Sequence, residues 1–282
     1  MRKYILVGLL LVIYLPIRSQ HYEFSKGLYR IGYENNVSIF VVSDVYTHDP
    51  LGKYDFVTES NDPDIVAAAD GWIRWIKEDE FDDCHPSGDG NPCCWWKNNY
   101  VIMEHPNGEW TGYTHIQQWS ATNAGIAVGD WVTVGTPLGI EGTVGCSTED
   151  HLHFEISRPF DTDFPFDTVG GFLSGNGELL IPVTCGLLPN NPWLVDSDTR
   201  TSSPCDDNCQ STWTVNNSVA NGEGFIARAD QHVDTGTANV VVFSYGSTTQ
   251  FRAGDYIKLN PGFHVQAGSK FAALIKNCNE QN

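Results

Sequence analysis

An all-β architecture, an antiparallel sheet unit followed by a small C-terminal stack of short strands, is predicted by three observations. Between residues 37 and 156, short β-branched and aromatic runs alternate with Gly, Asn, Asp and Pro turns. No segment there keeps a helical period long enough to bury one face of a helix. In the last seventy residues an Ala-Gly turn followed by a short strand occurs twice, the pattern of rungs that bury their apolar faces on one another.

Residues 1–20 read as an export signal. Arg2 and Lys3 form its basic start, 4–17 its apolar run, and cleavage is expected after Ser19 or Gln20. The run is shorter than the ~20 apolar residues of a membrane span. The first cysteine, Cys84, is too far away for lipid attachment. A first unit at 21–195 then carries strands expected at 37–42, 65–68, 72–76, 100–104, 131–134 and 151–156. Within it, 79–96 is an acidic, Gly- and Pro-rich insert with three cysteines, read as a disulfide-pinned loop. Residues 161–191 read as irregular and 196–212 as a linker of Ser, Thr, Asp and Pro. Residues 213–282 form the stacked-rung module, in which Ala253-Gly254-Asp255-Tyr256 is echoed fourteen residues later by Ala267-Gly268-Ser269-Lys270.

The 282 residues are 41% hydrophobic and 12% aromatic, enough for a buried core, and the formal charge is −19. Such a surface repels phosphate, which argues against nucleic acid and anionic membranes as partners. No later stretch could span a bilayer, and nothing in the composition speaks to oligomeric state. Eight cysteines, at 84, 93, 94, 146, 185, 205, 209 and 278, all lie in the exported part. An even count in an oxidising compartment argues for disulfides, with ~105 possible pairings. A zinc ribbon would need two C-x2-C pairs, and the chain has only Cys93-Cys94 and a C-x3-C.

Chemistry concentrates in three places. In His151-Leu152-His153-Phe154-Glu155-Ile156, period-2 alternation puts both imidazoles on one strand face, about 6.5 Å apart, and Leu152 and Phe154 on the other. In Thr111-Gly112-Tyr113-Thr114-His115 the same alternation puts Thr111, Tyr113 and His115 on one side. In His48-Asp49-Pro50-Leu51-Gly52-Lys53-Tyr54-Asp55 a histidine and a carboxylate flank a Gly turn and could reach one cation. Two histidines and one aspartate, with a fourth position left to water, make the open donor set of a catalytic zinc ion, Zn2+. Uncoordinated histidines beside it could move the proton of that water and stabilise an oxyanion. There is no His-Glu-x-x-His helix signature. His85 in the insert and His105 beside a turn read as ordinary histidines, and the tryptophans at 72, 75, 95, 96, 110, 119 and 131 mainly as core and strand-pairing residues. Trp95-Trp96 could line a substrate groove.

Residues 40–158 resemble the lysostaphin-like (LytM-type) zinc endopeptidases. Besides the three histidine elements, the chain has Ala67-Ala68-Ala69-Asp70-Gly71, Val128-Gly129-Asp130-Trp131-Val132 and Gly142-Thr143-Val144-Gly145-Cys146-Ser147 in the family's order. The resemblance implies Asp55 and His153 as zinc ligands and His115 and His151 as catalytic residues acting on the water and the oxyanion. Where the family has a histidine four residues before its aspartate, this chain has Leu51. The expected third ligand is therefore His48, in a His-x6-Asp spacing. The alternative is a lost ligand and an inactive fold that serves as a cell-surface binding scaffold. Glu149-Asp150 replaces the family's Gly-Pro before the final histidines. The implied substrate is the peptide crosslink of peptidoglycan, at bonds involving Gly or D-Ala, and an extracellular protein fits the acidic surface equally. The C-terminal unit resembles the three-coathanger stack modules of secreted Bacteroidetes proteins. The expected location is secreted: periplasmic, cell-surface or extracellular. Residues 21–36 are short for a pro-segment, yet could fold over the site.

Overall fold

The computed structural model describes residues 22–81, 84, 93–186, 193–205, 209–220, 223–237, 241–278 and 280. The expected export signal at 1–20, most of the cysteine-rich insert and His85 lie outside the described residues.

Alternation of apolar and polar residues sets many strands of the first half. In chain order these are β1 (Glu23–Tyr29), β2 (Ser38–Ser43), β3 (Tyr54–Thr58), β4 (Asp64–Val66), β5 (Gly71–Lys77) and β6 (Tyr100–Glu104). There follow β7 (Trp110–Thr114), β8 (Trp131–Val132), β9 (Pro137–Ile140), β10 (Leu152–Pro159), β11 (Gly177–Thr184) and β12 (Thr199–Thr201). The main sheet runs β12-β2-β3-β10-β7-β6-β5-β8, with β11 attached to β10 and β1 attached to β11. This order combines pairs of consecutive strands (β2-β3, β5-β6-β7, β10-β11) with long-range pairings. All of these pairings are antiparallel except β1 with β11. Strand β10 lies at the centre. Its Leu152, Phe154 and Ile156 enter the core, where Phe154 meets Phe56 and Tyr113 and Phe56 stacks on Tyr54 at 5.4 Å. Burying each such ring contributes roughly 1.5–3 kcal/mol. The opposite face of β10 is left for the polar residues.

The rest of the chain is a parallel ladder: β13 (Thr212–Val215), β14 (Gly224–Ala229), β15 (His232–Thr235), β16 (Val242–Phe243), β17 (Thr248–Ala253), β18 (Tyr256–Lys258), β19 (His264–Val265) and β20 (Lys270–Ile275). Its own cluster packs Phe243 against Phe251, Phe263 and Phe271. Strand β17 lies between β14 and β20, Gly224 pairing with Thr248 and Thr248 with Lys270, so the rungs repeat at 24 and 22 residues. The fourteen-residue echo is thus not the rung step. Ala253-Gly254 turns the chain from β17 into β18, and Ala267-Gly268 precedes β20, so one turn chemistry serves two different corners of a rung.

Tertiary pairing overrides several sequence expectations. Residues 161–191 contain β11, whose edge partner β1 is more than 150 positions away in the chain, so no local turn signals it. Part of the expected linker is β12, hydrogen-bonded to β2. Of residues 21–36, none that is described lines the cleft on the polar side of β10. Residues 22–26 join the two halves: the carbonyls of Tyr22, Ser25 and Lys26 accept from Thr248 Oγ1, Gln250 Nε2 and Arg252 Nη1. A short helix α1 (Ser120–Ala124) and a 3-10 turn (Trp95–Lys97) interrupt the strands. Helix α1 has no local side-chain cap. Its first N–H groups donate instead to Glu78, distant in sequence, from Ala121 at 2.9 Å and Thr122 at 3.0 Å. Of the tryptophans only Trp110 is fully buried, and Trp75, Trp95, Trp96, Trp119 and Trp131 are half exposed.

All eight cysteines pair: Cys84–Cys94, Cys93–Cys146, Cys185–Cys205 and Cys209–Cys278. The last spans 69 residues and closes the ladder. Among the described residues no helix is long and apolar enough to cross a membrane.

Candidate metal and catalytic centre

The polar face of β10 is completed by its neighbours in the sheet. Antiparallel register sets His153 directly opposite Asp55 of β3 and, on the other side, opposite Thr114 of β7. Directly opposed residues share a face, so Asp55 and His153 meet: Nδ1 of His153 is 2.9 Å from Oδ1 of Asp55. The loop before β3 brings His48 back over the same carboxylate, its Nε2 3.2 Å from Oδ2 of Asp55. Its Nδ1 is held 2.8 Å from the Pro50 carbonyl, which fixes the ring. Ser43 Oγ donates to the same carboxylate at 2.8 Å. His151 reaches Asp55 Oδ1 at 3.6 Å through Nε2, while its Nδ1 lies 3.0 Å from both Ser147 Oγ and the Glu149 carbonyl.

His115 arrives by a different route from the one alternation predicts. Thr111 and Tyr113 do share a face, joined by a hydrogen bond, but that face is the core. A regular strand would send His115 there as well. Instead its backbone is left-handed, with φ at 68°. This conformation is uncommon for a residue with a Cβ and turns the ring out of the core and over the site. The ring lies 4.5 Å from that of His151 and 5.8 Å from that of His153, with Nδ1 2.8 Å from the Val144 carbonyl. The backbone N–H donates to Asn99 O and to Asn98 Oδ1, holding the turn.

All five sequence-designated residues therefore line one cleft of about 520 Å³, with Trp95 and Phe172 among its other walls. The Cys93–Cys146 disulfide ties the segment bearing Trp95 to the loop that leads to His151. His105 lies elsewhere, buried between the Asp70 carbonyl and Thr111 Oγ1. Leu51 is exposed and does not line the cleft.

Electrostatics separates the residues by role. Burial raises the Asp55 carboxyl, but hydrogen bonds from His153 and His48 outweigh it and hold Asp55 well below the usual carboxylate range. His115 is pushed far down by burial and by the neighbouring His151 and His153, so it stays neutral. His151 is also lowered by burial, with Asp55 opposing. For His153, burial is outweighed by hydrogen bonds to Asp55 and Glu155, and its pKa is raised.

Sequence reasoning missed two residues here. Glu155 follows His153 by two positions and so shares its face, a signal that alternation carries. Its Oε1 lies 2.9 Å from Nε2 of His153 and 3.2 Å from Lys53 Nζ. Lys53 sits two residues before Asp55, on the same face.

The donor chemistry suits a divalent transition metal. Ligand atoms of His48, Asp55 and His153 lie within 4.8 Å of one another, two imidazole nitrogens and a carboxylate oxygen. Ligand atoms of His115, His151 and His153 also lie within 4.8 Å of one another, so His153 is the corner common to both groups.

No curated protein matches the chain. A zinc-containing peptidase from Vibrio cholerae is 19% identical with a TM-score of 0.29, over 48% of this chain and 37% of that one. The lysostaphin catalytic domain from Staphylococcus simulans is 19% identical with a TM-score of 0.29, over 48% of this chain and 85% of the other. Pseudoalterin, an M23 metalloprotease from the deep sea, is 17% identical with a TM-score of 0.34, over 63% and 96%. The chain thus spans little more than a third of the length of the Vibrio cholerae protein. Residues 53–164, which hold Asp55, His115, His151 and His153 and begin just after His48, match the model described as Peptidase family M23.

Proposed function

We propose that this chain is an exported zinc-dependent endopeptidase that hydrolyses peptide bonds, with peptidoglycan crosslinks as its substrate. The observation that carries this reading is the convergence of His48, Asp55 and His153 beside the neutral His115 and His151 in one cleft. His48 through Nε2, Asp55 through its carboxylate and His153 through Nδ1 would hold the ion. When bound, zinc supplies Lewis acidity, polarising a scissile carbonyl and lowering the pKa of a water toward ~7.

The remaining steps belong to the side chains. Nδ1 of His115 donates to the Val144 carbonyl, leaving Nε2 unprotonated and able to take a proton from an attacking water. His151 faces its Glu149 carbonyl in the same way, so it too keeps an Nε2 lone pair. Whichever ring takes the proton becomes a donor, suited to stabilise the oxyanion and return the proton to the leaving amine. Trp95 and Phe172 on the walls of the cleft can hold the peptide against these groups. Four disulfides among the described residues support an oxidising destination. The C-terminal ladder fits a stacked module of the three-coathanger kind appended to the peptidase half.

The test is zinc content of the purified mature protein and of His48→Ala, with peptidoglycan solubilisation assayed on both. Near-stoichiometric zinc and peptide release, both lost in His48→Ala, are expected. Retention of zinc by His48→Ala would transfer the ion to the His115, His151 and His153 group. Wild type that neither holds added zinc nor releases peptides would refute the peptidase reading and leave the binding scaffold.

A further inference from the structure

We propose that Glu155 and Lys53 act as a positioning pair for His153, making Nε2 the donor nitrogen so that Nδ1 is the one presented to the ion. This rests on the metal-centre reading above and adds two residues to it.

An imidazole can bind through either nitrogen, and the choice is made by what the other one does. An ionised carboxylate can only accept, so the 2.9 Å contact from His153 Nε2 to Glu155 Oε1 requires the proton on Nε2. Nδ1, which donates to Asp55, is on the side where His48 also arrives, and is the nitrogen that would exchange its proton for the ion. Glu155 is itself immobile: it is 2% exposed, and its Oε2 accepts from the N–H groups of Leu173 at 2.9 Å and Ser174 at 2.8 Å. Lys53 Nζ lies 3.2 Å from the same Oε1 that receives the imidazole, and 4.3 Å above the Phe172 ring. Phe172 in turn meets His153 edge-on at 5.5 Å. The ring is thereby held by a hydrogen bond on one nitrogen and by packing on its flank. Lys53 offsets the Glu155 charge, so the pair adds direction to the site without adding net negative charge.

The two residues should therefore act on zinc affinity with opposite signs, measured by competition against a chromophoric chelator. Glu155→Leu should weaken zinc binding about 10–100-fold. Glu155→Gln, which keeps a carbonyl acceptor, should recover part of that loss. Lys53→Met, which leaves Glu155 uncompensated, should tighten zinc several-fold. Nitrogen-15 NMR gives a second readout: a slowly exchanging His153 Nε2–H resonance, present in wild type and absent from Glu155→Leu. Unchanged affinity and an unchanged ring resonance in Glu155→Leu would overturn the proposal. So would a Lys53→Met protein that loses zinc as Glu155→Leu does. A wild type that takes up no zinc would remove the metal reading, and the ring resonance of the metal-free protein would still decide whether Glu155 holds His153.

Discussion

Strands β10 and β17 are each flanked on both sides, and each has one apolar and one polar face. On β10 the apolar side chains are Leu152, Phe154 and Ile156, and on β17 Phe251 and Ala253 enter the phenylalanine cluster. Their polar faces have different fates. On β17, Thr248, Gln250 and Arg252 each give a donor to a backbone carbonyl of β1 or of Tyr22 just before it, which joins the ladder to the sheet. On β10, His153 and Glu155 bond to other side chains, and His151 and His153 open onto a cleft. A buried polar face becomes a chemical site only where its groups keep an unspent lone pair and reach solvent. Where backbone carbonyls absorb them, the same residue types serve docking.

The largest expected effect lies on the β10 side. His115→Ala should lower kcat by about 10²–10⁴-fold while zinc content and melting temperature stay near wild type, because His115 is read as a proton carrier and not a ligand. Loss of zinc in that variant would place His115 among the ligands and redraw the centre. On the β17 side the expected effect is on stability alone. Phe251→Ala, at the middle of the phenylalanine cluster, should cost about 3–5 kcal/mol in denaturant unfolding. Zinc content per folded molecule should be unchanged. If zinc falls with it, the ladder and the cleft are coupled through β1 more tightly than their separate clusters imply.

The smallest effect concerns Glu141, just after β9, which is 2% exposed and whose carboxyl is pushed up to about 7 by burial, with Asp150 and Asp62 adding to it. The folded protein then holds a proton between about pH 4.5 and 7 that the unfolded chain has released. Its contribution to stability is therefore lost as pH rises through that window. Glu141→Gln should remove this slope and raise stability at pH 8 by about 2 kcal/mol relative to wild type. His105, pushed down to about 4 by burial, works the other way and lowers stability as pH falls below 6.5. The difference between wild type and Glu141→Gln melts, taken at pH 5 and pH 8, isolates Glu141. Equal differences at the two pH values would mean that the carboxyl is not held protonated.

Much of the centre is legible in the chain because β-strand alternation is a local rule. It places His151 and His153 together and Leu152 and Phe154 in the core, and it would have placed Glu155 beside them. Alternation gives the face of Glu155 but not its role: a lone glutamate on a half-polar strand ordinarily faces solvent, and its burial follows only from its partners Lys53, Leu173 and Ser174. His115 fails the local rule outright, because its left-handed backbone is imposed by contacts with Asn98 and Asn99. Helix α1 escapes detection for a similar reason: its cap is Glu78, supplied across the fold. The disulfide partners follow only from which loops the sheet brings together.

The all-β class, the antiparallel main sheet, the stacked character of the C-terminal half and the shared face of His151 and His153 are thus legible in the sequence alone, since side-chain periodicity and turn chemistry act over a few residues, whereas His48, Asp55 and His115 are singled out by the family resemblance. Tertiary structure decided that Asp55 lies opposite His153, that His48 completes the group from a loop, that His115 turns toward it, and that β1 binds the two halves together. Each of these depends on strand register or on a contact between distant segments. Register is set by burial of the whole sheet, a free energy that no single stretch of chain contains.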